Sequence, residues 1–534
     1  MSMIRVQDLS FTYPSGFEPV FSRVSFSLDT DWRTGLISRN GRGKTTFLRL
    51  LMGKMPYQGT ITAAVDFSYF PFPVEEPERP AEIVLRELIA PYGRWEAEME
   101  KAAALGEAGM DAYAAAFAAY IDHDGYAIDE TIVRETALLG VREGVLSRPF
   151  ATLSPGERTK CLLAALFCKH HAFLLIDEPT NHLDLEGRRQ VGDYLAGKKG
   201  FILVSHDRDF LDRSVDHVLS INRANIEVQQ GNFSSWEENR RRQDAFELAE
   251  NEKLAAEISR LRKAAERTAG WADKAEKSKI GFDPRKTEKT TGRRVFEGAK
   301  SKKLMSSAKA VEKRRKAALE EKGKLLKNLE RSDALKLRLL PPPKPVFFRA
   351  AELSLWYEPG KPLFLPVSFT LEPGEQVAVT GPNGCGKTTL LKAVLGETSG
   401  YSGVLERCGG LTVSYVPQST DHLRGDLTEY ARQEGLDITL FLTILRKLDF
   451  SRAQFEKDMG EYSGGQKKKV LIAAALSRPA HLLVWDEPLN YVDVLSRMQI
   501  EELLTIYRPS LLMVEHDARF LDNVAGKRIA LEKA

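Results

Sequence analysis

The chain has 534 residues, of which 43% are hydrophobic and 28% charged, and its formal net charge is +3. That length is too great for one core and suits two or three domains. No apolar run reaches the roughly 18–20 residues that a membrane span needs. The start, MSMIRVQDLS, lacks the basic-then-apolar layout of a secretory signal. The four cysteines (Cys161, Cys168, Cys385 and Cys408) fall at no zinc-like spacing, which predicts reduced thiols in a cytoplasmic protein.

In chain order, an apolar strand is predicted at Arg33–Ile37 and is followed by SRNGRGKTT at residues 38–46. A glycine-rich loop between a strand and a helix lets backbone N–H groups surround phosphates. The phosphate-binding set is Ser38, Asn40, Gly41, Gly43, Lys44, Thr45 and Thr46, with Lys44 placed to meet β- and γ-phosphates and Thr45 to meet Mg²⁺. The alanine-rich stretch 94–120 reads as helix within a short arm at about 84–125. LSPGE follows at 153–157, LLIDEP at 174–179 and SHD at 205–207. In LLIDEP an apolar strand ends on Asp177, suited to Mg²⁺ through water, and Glu178, suited to polarising an attacking water. Helix capping is the plainer reading of such an acid pair. His206 follows a predicted strand at Phe201–Val204 and is a candidate sensor of the terminal phosphate.

The segment 251–340 holds 27 Lys and Arg against 13 Asp and Glu, while the rest of the chain is net acidic. Leu254, Ile258, Leu261, Ala265, Thr268 and Ala272 step by 4 and 3 residues in alternation, and a second such stripe runs from Leu304 to Leu329. Two stripes predict an antiparallel helical hairpin over 237–340, with arms of about 50–60 Å. The hairpin ends at PPPKP, residues 341–345. A basic block suggests a polyanion, nucleic acid first; a solvated charged helix pair is the bland alternative. The cations at its turn are Arg285, Lys286, Lys289, Arg293, Arg294, Lys300, Lys302 and Lys303. Phe282, Val295 and Phe296 either stack on a base or close the tip by packing on one another.

The same order of motifs then repeats. A strand at Gln376–Thr380 precedes GPNGCGKTT at 381–389, giving Gly381, Asn383, Gly384, Gly386, Lys387, Thr388 and Thr389. VPQ carries Gln418, YSGGQ lies at 462–466, LLVWDEP carries Asp486 and Glu487, and EHD carries His516. Thr388, Gln418 and Asp486 join Thr45 and Asp177 as candidate Mg²⁺ contacts. Tyr13 and Tyr357 precede the loop lysines by 31 and 30 residues; adenine stacking fits them, and so does core packing.

This order of motifs resembles the ATP-binding cassette superfamily, and two cassettes joined by a basic helical linker resemble its F subfamily. WDEPLNYVD at 485–493, YSGGQKKKV at 462–470, GNFSSWEENR at 231–240 and DAFELAENEK at 244–253 look like its antibiotic-resistance branch, nearest the Lsa-like group. The resemblance implies an α/β fold: a first P-loop cassette at 1–236, a hairpin linker at 237–340 and a second cassette at 341–534. It implies a cytoplasmic ATPase using ATP and Mg²⁺ at two composite sites, closing within one monomer and having no membrane partner. One site would join Lys44, Glu178 and His206 to Ser463, Gly464, Gly465 and Gln466. The other would join Lys387, Gln418, Glu487 and His516 to Ser154, Gly156 and Glu157. It further implies binding to the exit-tRNA site of the 70S ribosome. There the linker reaches the peptidyl-transferase centre past 23S rRNA and P-site tRNA and displaces lincosamide, streptogramin A or pleuromutilin drugs, and hydrolysis releases the factor. A housekeeping translation factor of the same subfamily, a transporter motor and a DNA-repair cassette protein are the competing readings.

Three departures from the pattern are visible. Ser38 replaces the first loop glycine, Phe72 stands where Gln418 stands in the second cassette, and Pro155 replaces a signature glycine. Phenylalanine cannot bind Mg²⁺ or orient water, and proline lacks an N–H donor. Unequal sites are expected, with the Lys44 site the slower.

Overall fold

The computed structural model describes residues 2–14, 19–170, 172–181, 183–222, 225–247, 249–250, 339–397 and 400–534, with isolated positions between 251 and 338. The chain divides into two compact units. One joins Met1–Ser234 to Ser332–Ala534, and the other is Ser235–Arg331.

The first unit contains the same architecture twice. In the first copy β3 (Arg33–Ile37) lies between β7 (Phe201–Val204) and β8 (His217–Ile221). Beyond them come β6 (Ala172–Asp177), β5 (Asp66–Phe70) and β9 (Ile226–Gln230), in the order β5-β6-β7-β3-β8-β9. Only the β8–β9 pair is antiparallel. The second copy is a parallel sheet, β14-β15-β16-β12-β17. It comprises β12 (Gln376–Thr380), β14 (Val413–Val416), β15 (Leu482–Asp486), β16 (Leu511–Val514) and β17 (Lys527–Ala530). Continuous apolar runs such as FILV and LLMV are buried at every residue, as a sheet covered on both faces requires.

A smaller antiparallel sheet accompanies each copy. One is β2-β1-β4, built from β1 (Met3–Phe11), β2 (Phe21–Asp29) and β4 (Gln58–Thr62). The other is β11-β10-β13, built from β10 (Phe348–Leu355), β11 (Val367–Leu371) and β13 (Tyr401–Arg407). Phe47, Leu48 and Phe173 close the core under the first antiparallel sheet, and Phe364, Leu390 and Leu391 close it under the second.

The arm differs from expectation in one respect. The stretch 94–120 is not one helix; it is parts of two, Tyr92–Ala104 and Met110–Asp122, joined by a 3-10 turn at Gly106–Gly109. Gly106 adopts φ +60°, and a Cβ on Gly109 would stand 2.0 Å from the carbonyl oxygen of Ala102. The close return of the chain excludes a side chain there, so glycine rather than alanine content decides the break. Tyr92 anchors the hairpin by donating to the carbonyl of His123 (2.7 Å) and packing edge-on against Tyr120.

In the second unit, residues 236–242 are helical and carry Glu-to-Arg pairs one turn apart, Glu237–Arg241 at 2.6 Å and Glu238–Arg242 at 2.5 Å. The heptad stripes as sets and the eleven turn residues (Phe282, Arg285, Lys286, Lys289, Arg293, Arg294, Val295, Phe296, Lys300, Lys302 and Lys303) lie outside the described residues.

The helical subdomain of the second copy packs on Phe441, which is fully buried on the helix Ile438–Lys447. Phe441→Ala is expected to cost about 3–5 kcal/mol of stability, the range for emptying an aromatic core site. A guanidinium titration read by far-UV circular dichroism checks it, and an unchanged midpoint would contradict it.

Candidate ATP sites between two cassettes

Each glycine-rich loop feeds a helix, Lys44–Leu51 or Lys387–Leu395, through a left-handed glycine: Gly43 at φ 91° and Gly386 at φ 95°. A Cβ on Gly43 would stand 2.6 Å from the Val20 side chain. Both lysines fold back over their loops. Lys387 Nζ donates to the carbonyls of Gly381 (2.8 Å) and Pro382 (3.0 Å), and Lys44 Nζ to that of Ser38 (3.1 Å). Ser38 thus supplies the same carbonyl as Gly381. Gly381 needs its glycine, with φ +148° and a would-be Cβ 2.6 Å from Leu531 O; Ser38 is not among the positive-φ residues. The first loop absorbs this departure in its backbone.

Tyr13 and Tyr357 are not core residues. Their hydroxyls stand 2.6 Å from Thr46 Oγ1 and 2.8 Å from Thr389 Oγ1, and the Tyr357 side chain is 71% exposed. Each ring flanks the cavity of its own loop, the position a stacked base requires.

The acids stand at the ends of β6 and β15. Glu178 and Glu487 both hold left-handed backbone, φ 52° and 48°, a strained state for a residue with a Cβ. It persists because each N–H is tied to the neighbouring strand, Glu178 N to Val204 O (2.9 Å) and Glu487 N to Val514 O (3.0 Å). His206 Nε2 is 3.2 Å from Glu178 and His516 Nε2 is 3.5 Å from Glu487. Burial lowers both imidazoles below their usual range.

The donor set fits Mg²⁺. Both carboxylate oxygens of Asp486 are buried without a hydrogen-bond partner of good geometry, and burial pushes its pKa up to about 6. A buried carboxylate in that state calls for a cation. Asp177 differs, accepting from Thr45 (3.1 Å) and from the Tyr69 hydroxyl (2.9 Å). Tyr69 was not among the expected site residues; only its place on β5 beside β6 reveals it.

The signatures face the opposite loops. A cavity of ≈ 400 Å³ is lined by Tyr13, Lys44, Thr45, Asp177, Glu178 and His206 together with Ser463, Gly464 and Gly465. A larger one of ≈ 930 Å³ is lined by Tyr357, Asn383, Gly384, Lys387, Thr388, Gln418, Glu487 and His516 together with Ser154, Pro155, Gly156 and Glu157. Ser154 and Ser463 cap the helices Pro155–Phe167 and Gly464–Ser477. Glu157 and Gln466 turn back to close the capping boxes, at 2.8 Å to Ser154 N and 2.9 Å to Ser463 N. Pro155 takes the first helical position, where the missing N–H is one the helix itself does not use.

Contacts between the cassettes hold this pairing. Asn40 Nδ2 donates to Tyr491 O (2.8 Å), and a Cβ on Gly465 would stand 2.2 Å from both. Arg42 pairs with Asp449 (3.2 Å). Deeper in, Arg188, held by Asp207 of its own cassette (2.8 Å), donates across to His516 O (3.0 Å), and Arg208 pairs across with Glu501; Arg497 is held by Asp517 within the second cassette (3.1 Å).

The two sites differ most at the glutamates. Glu487 Oε2 accepts from Gln418 (2.8 Å) and Asn490 (2.7 Å). Burial alone would raise Glu487, but donation from His516 and Gln418 outweighs it and holds the pKa at about 2. At Glu178, burial dominates and the neighbouring Asp177 adds to it, so its pKa is raised. Phe72 lies against the Phe70 ring and under Lys169, and does not line the cavity. With no amide to replace Gln418, Glu178 lacks the donor that orients Glu487. Glu487→Gln is therefore expected to lower steady-state phosphate release on the order of 100-fold, and Glu178→Gln by less than about threefold. Equal losses in the two variants would show that the glutamate environments do not set the rate.

The family model described as ABC transporter matches residues 21–181 and 364–490, more than half of the chain. The tylosin resistance ATP-binding protein TlrC of Streptomyces fradiae is 30% identical over 554 residues, covering 96% of this chain and 95% of that protein. The ribosome protection protein VmlR of Bacillus subtilis (strain 168) is 27% identical over 537 residues, covering 96% and 84%. The solved complex of archaeal ribosomal stalk protein aP1 with archaeal ribosome recycling factor aABCE1 shares the fold, with a TM-score of 0.57 at 18% identity over 99% of this chain and 88% of that chain. Two matched cassettes, facing loops and signatures, and relatives aligned over most of their length place the chain in the ATP-binding cassette family of ATPases, in its F subfamily.

Proposed function

We propose that this protein is a ribosome-binding ATPase that protects the peptidyl-transferase centre from antibiotics, as the Lsa-like branch does. The observation that carries the reading is the pairing of two composite sites in one chain with a strongly basic interdomain segment. A chain that closes both sites by itself acts as a monomer, and ATP binding then serves to fix the relative position of its cassettes. Relatives named for tylosin resistance and for ribosome protection support the choice of partner. Among the described residues no helix is long and apolar enough to cross a membrane.

In this reading the nucleotide is held by the loop N–H groups, by Lys44 or Lys387, and by the opposite signature. Tyr13 and Tyr357 stack on the base. Mg²⁺, held by Thr45 and Asp177 or by Thr388, Gln418 and Asp486, would neutralise phosphate charge. Glu487 takes the proton of the attacking water while Gln418, Asn490 and His516 fix its orientation. The ATP-bound chain occupies the exit-tRNA site, and residues 279–303 meet 23S rRNA and P-site tRNA near the drug. Hydrolysis separates the cassettes and releases the ribosome.

Expression in a drug-sensitive bacterium tests this through inhibitory concentrations of lincomycin, a streptogramin A and tiamulin. Raised tolerance, with the Glu178→Gln/Glu487→Gln variant trapped on ribosomes in ATP, is expected. Trapping without tolerance would favour a housekeeping translation factor, and no trapping would remove the ribosome from the reading. Phe296→Ala is expected to lower drug tolerance several-fold while ribosome co-sedimentation stays unchanged. Equal loss of both would assign Phe296 to binding alone.

A further inference from the structure

Lys468 belongs to neither the loops nor the acid pairs, yet it is 1% exposed and placed between the two ATP sites. It lies in the second turn of the helix Gly464–Ser477, whose N-terminus lines the Lys44 cavity. Its Nζ donates to Pro417 O and to Glu487 O, both at 3.0 Å. Pro417 precedes Gln418, whose amide donates to Glu487. One ammonium therefore grips the backbone on both sides of the Gln418–Glu487 hydrogen bond in the Lys387 site.

The charge has a matching environment. Burial lowers the Lys468 pKa to about 8, partly opposed by Glu515, Asp486 and Glu487. Glu515 is itself buried and accepts from the N–H groups of Leu489 (2.8 Å) and His516 (3.0 Å). The first cassette is built otherwise. Thr159 holds the place of Lys468, and its hydroxyl donates to Pro155 O within its own helix (3.0 Å). Ser205 holds the place of Glu515, 3.3 Å from the Thr180 hydroxyl. Burying an ammonium and a carboxylate costs more than burying two hydroxyls, so the charged arrangement needs a return that packing alone does not supply.

We infer that Lys468 is a positioning residue through which nucleotide bound at the Lys44 site sets the geometry of Gln418 and Glu487 at the Lys387 site. Ser463, Gly464 and Gly465 line the Lys44 cavity and would close on its nucleotide, and the Asn40–Tyr491 bond lies directly against that helix end, where a Cβ on Gly465 would stand 2.2 Å from both atoms. Seating of the helix end is carried one turn along a rigid element to Lys468, and from there to the two carbonyls. The opposite signature helix has no equivalent route to Glu178, because the Thr159 hydroxyl bonds within its own helix. The inference rests on ATP turnover alone and holds whether or not the chain acts on the ribosome.

Steady-state ATP hydrolysis by the purified full chain tests it, with and without Lys44→Ala, which removes nucleotide from the first site. The charge-free pair Lys468→Thr/Glu515→Ser copies the first cassette at both positions; Lys468→Met/Glu515→Gln replaces it where thermal unfolding shows the first pair unfolded. In the unaltered chain Lys44→Ala is expected to lower kcat by about tenfold or more, and in the charge-free pair by less than about twofold, a coupling the double-mutant cycle isolates. The charge-free pair itself is expected to lose kcat at little-changed KM, with a Hill coefficient falling towards 1, and Lys468→Arg to restore the response to Lys44→Ala. Equal Lys44→Ala effects in both backgrounds, or an unchanged Hill coefficient, would overturn the inference.

Discussion

A triphosphate and its cation carry more charge than one loop can enclose, and that constraint governs this molecule. Backbone N–H groups at one helix N-terminus neutralise only the face they touch. The remaining face is met here by a second helix N-terminus, capped by Ser154 or Ser463 and brought from the other cassette. Two half-sites in one chain follow directly. The strained backbone of Glu178 and Glu487 follows too, since each carboxylate must turn from its strand end into the gap between the two cassettes.

Closing that gap buries charge. Arg188, Asp207, Arg208, Arg497 and Asp517 are all nearly inaccessible, and Arg188 reaches across to the carbonyl of His516. Such pairs contribute little against well-packed apolar groups, but removing one partner leaves a buried charge exposed to a severe penalty. Their use is therefore registry: the interface tolerates one relative placement of the cassettes and resists others. Asn40 bonded to Tyr491, with Gly465 too close for a side chain, sets the same placement nearer the phosphates.

Within this near-symmetric frame the chemistry is unequal. Glu487 has three neighbours that hold its charge and direction, Gln418, Asn490 and His516. Glu178 has His206 beside it and no amide donor among the described residues, and Tyr69 occupies an oxygen of Asp177 that in the other cassette is left for a cation. In the reading proposed above, the Lys387 site turns nucleotide over and the Lys44 site holds it. A buried Lys468 spanning from one signature helix to the other glutamate gives the pair a physical route for coordination.

The local parts of this machine were legible in the sequence. A glycine loop after a strand, a capped signature and an acid pair at a strand end each depend on residues a few positions apart, so spacing alone determines them. The sequence also showed that Phe72 cannot do what Gln418 does, because that is a matter of functional groups. Tertiary structure decided the rest, since it depends on neighbours far apart in the chain. Asn40 meets Tyr491 only when the cassettes close, and Tyr69 reaches Asp177 only because β5 lies beside β6. Backbone context also made Ser38 an adequate substitute for glycine and broke the arm at Gly106 and Gly109, where close return of the chain outweighs the helical preference of alanine.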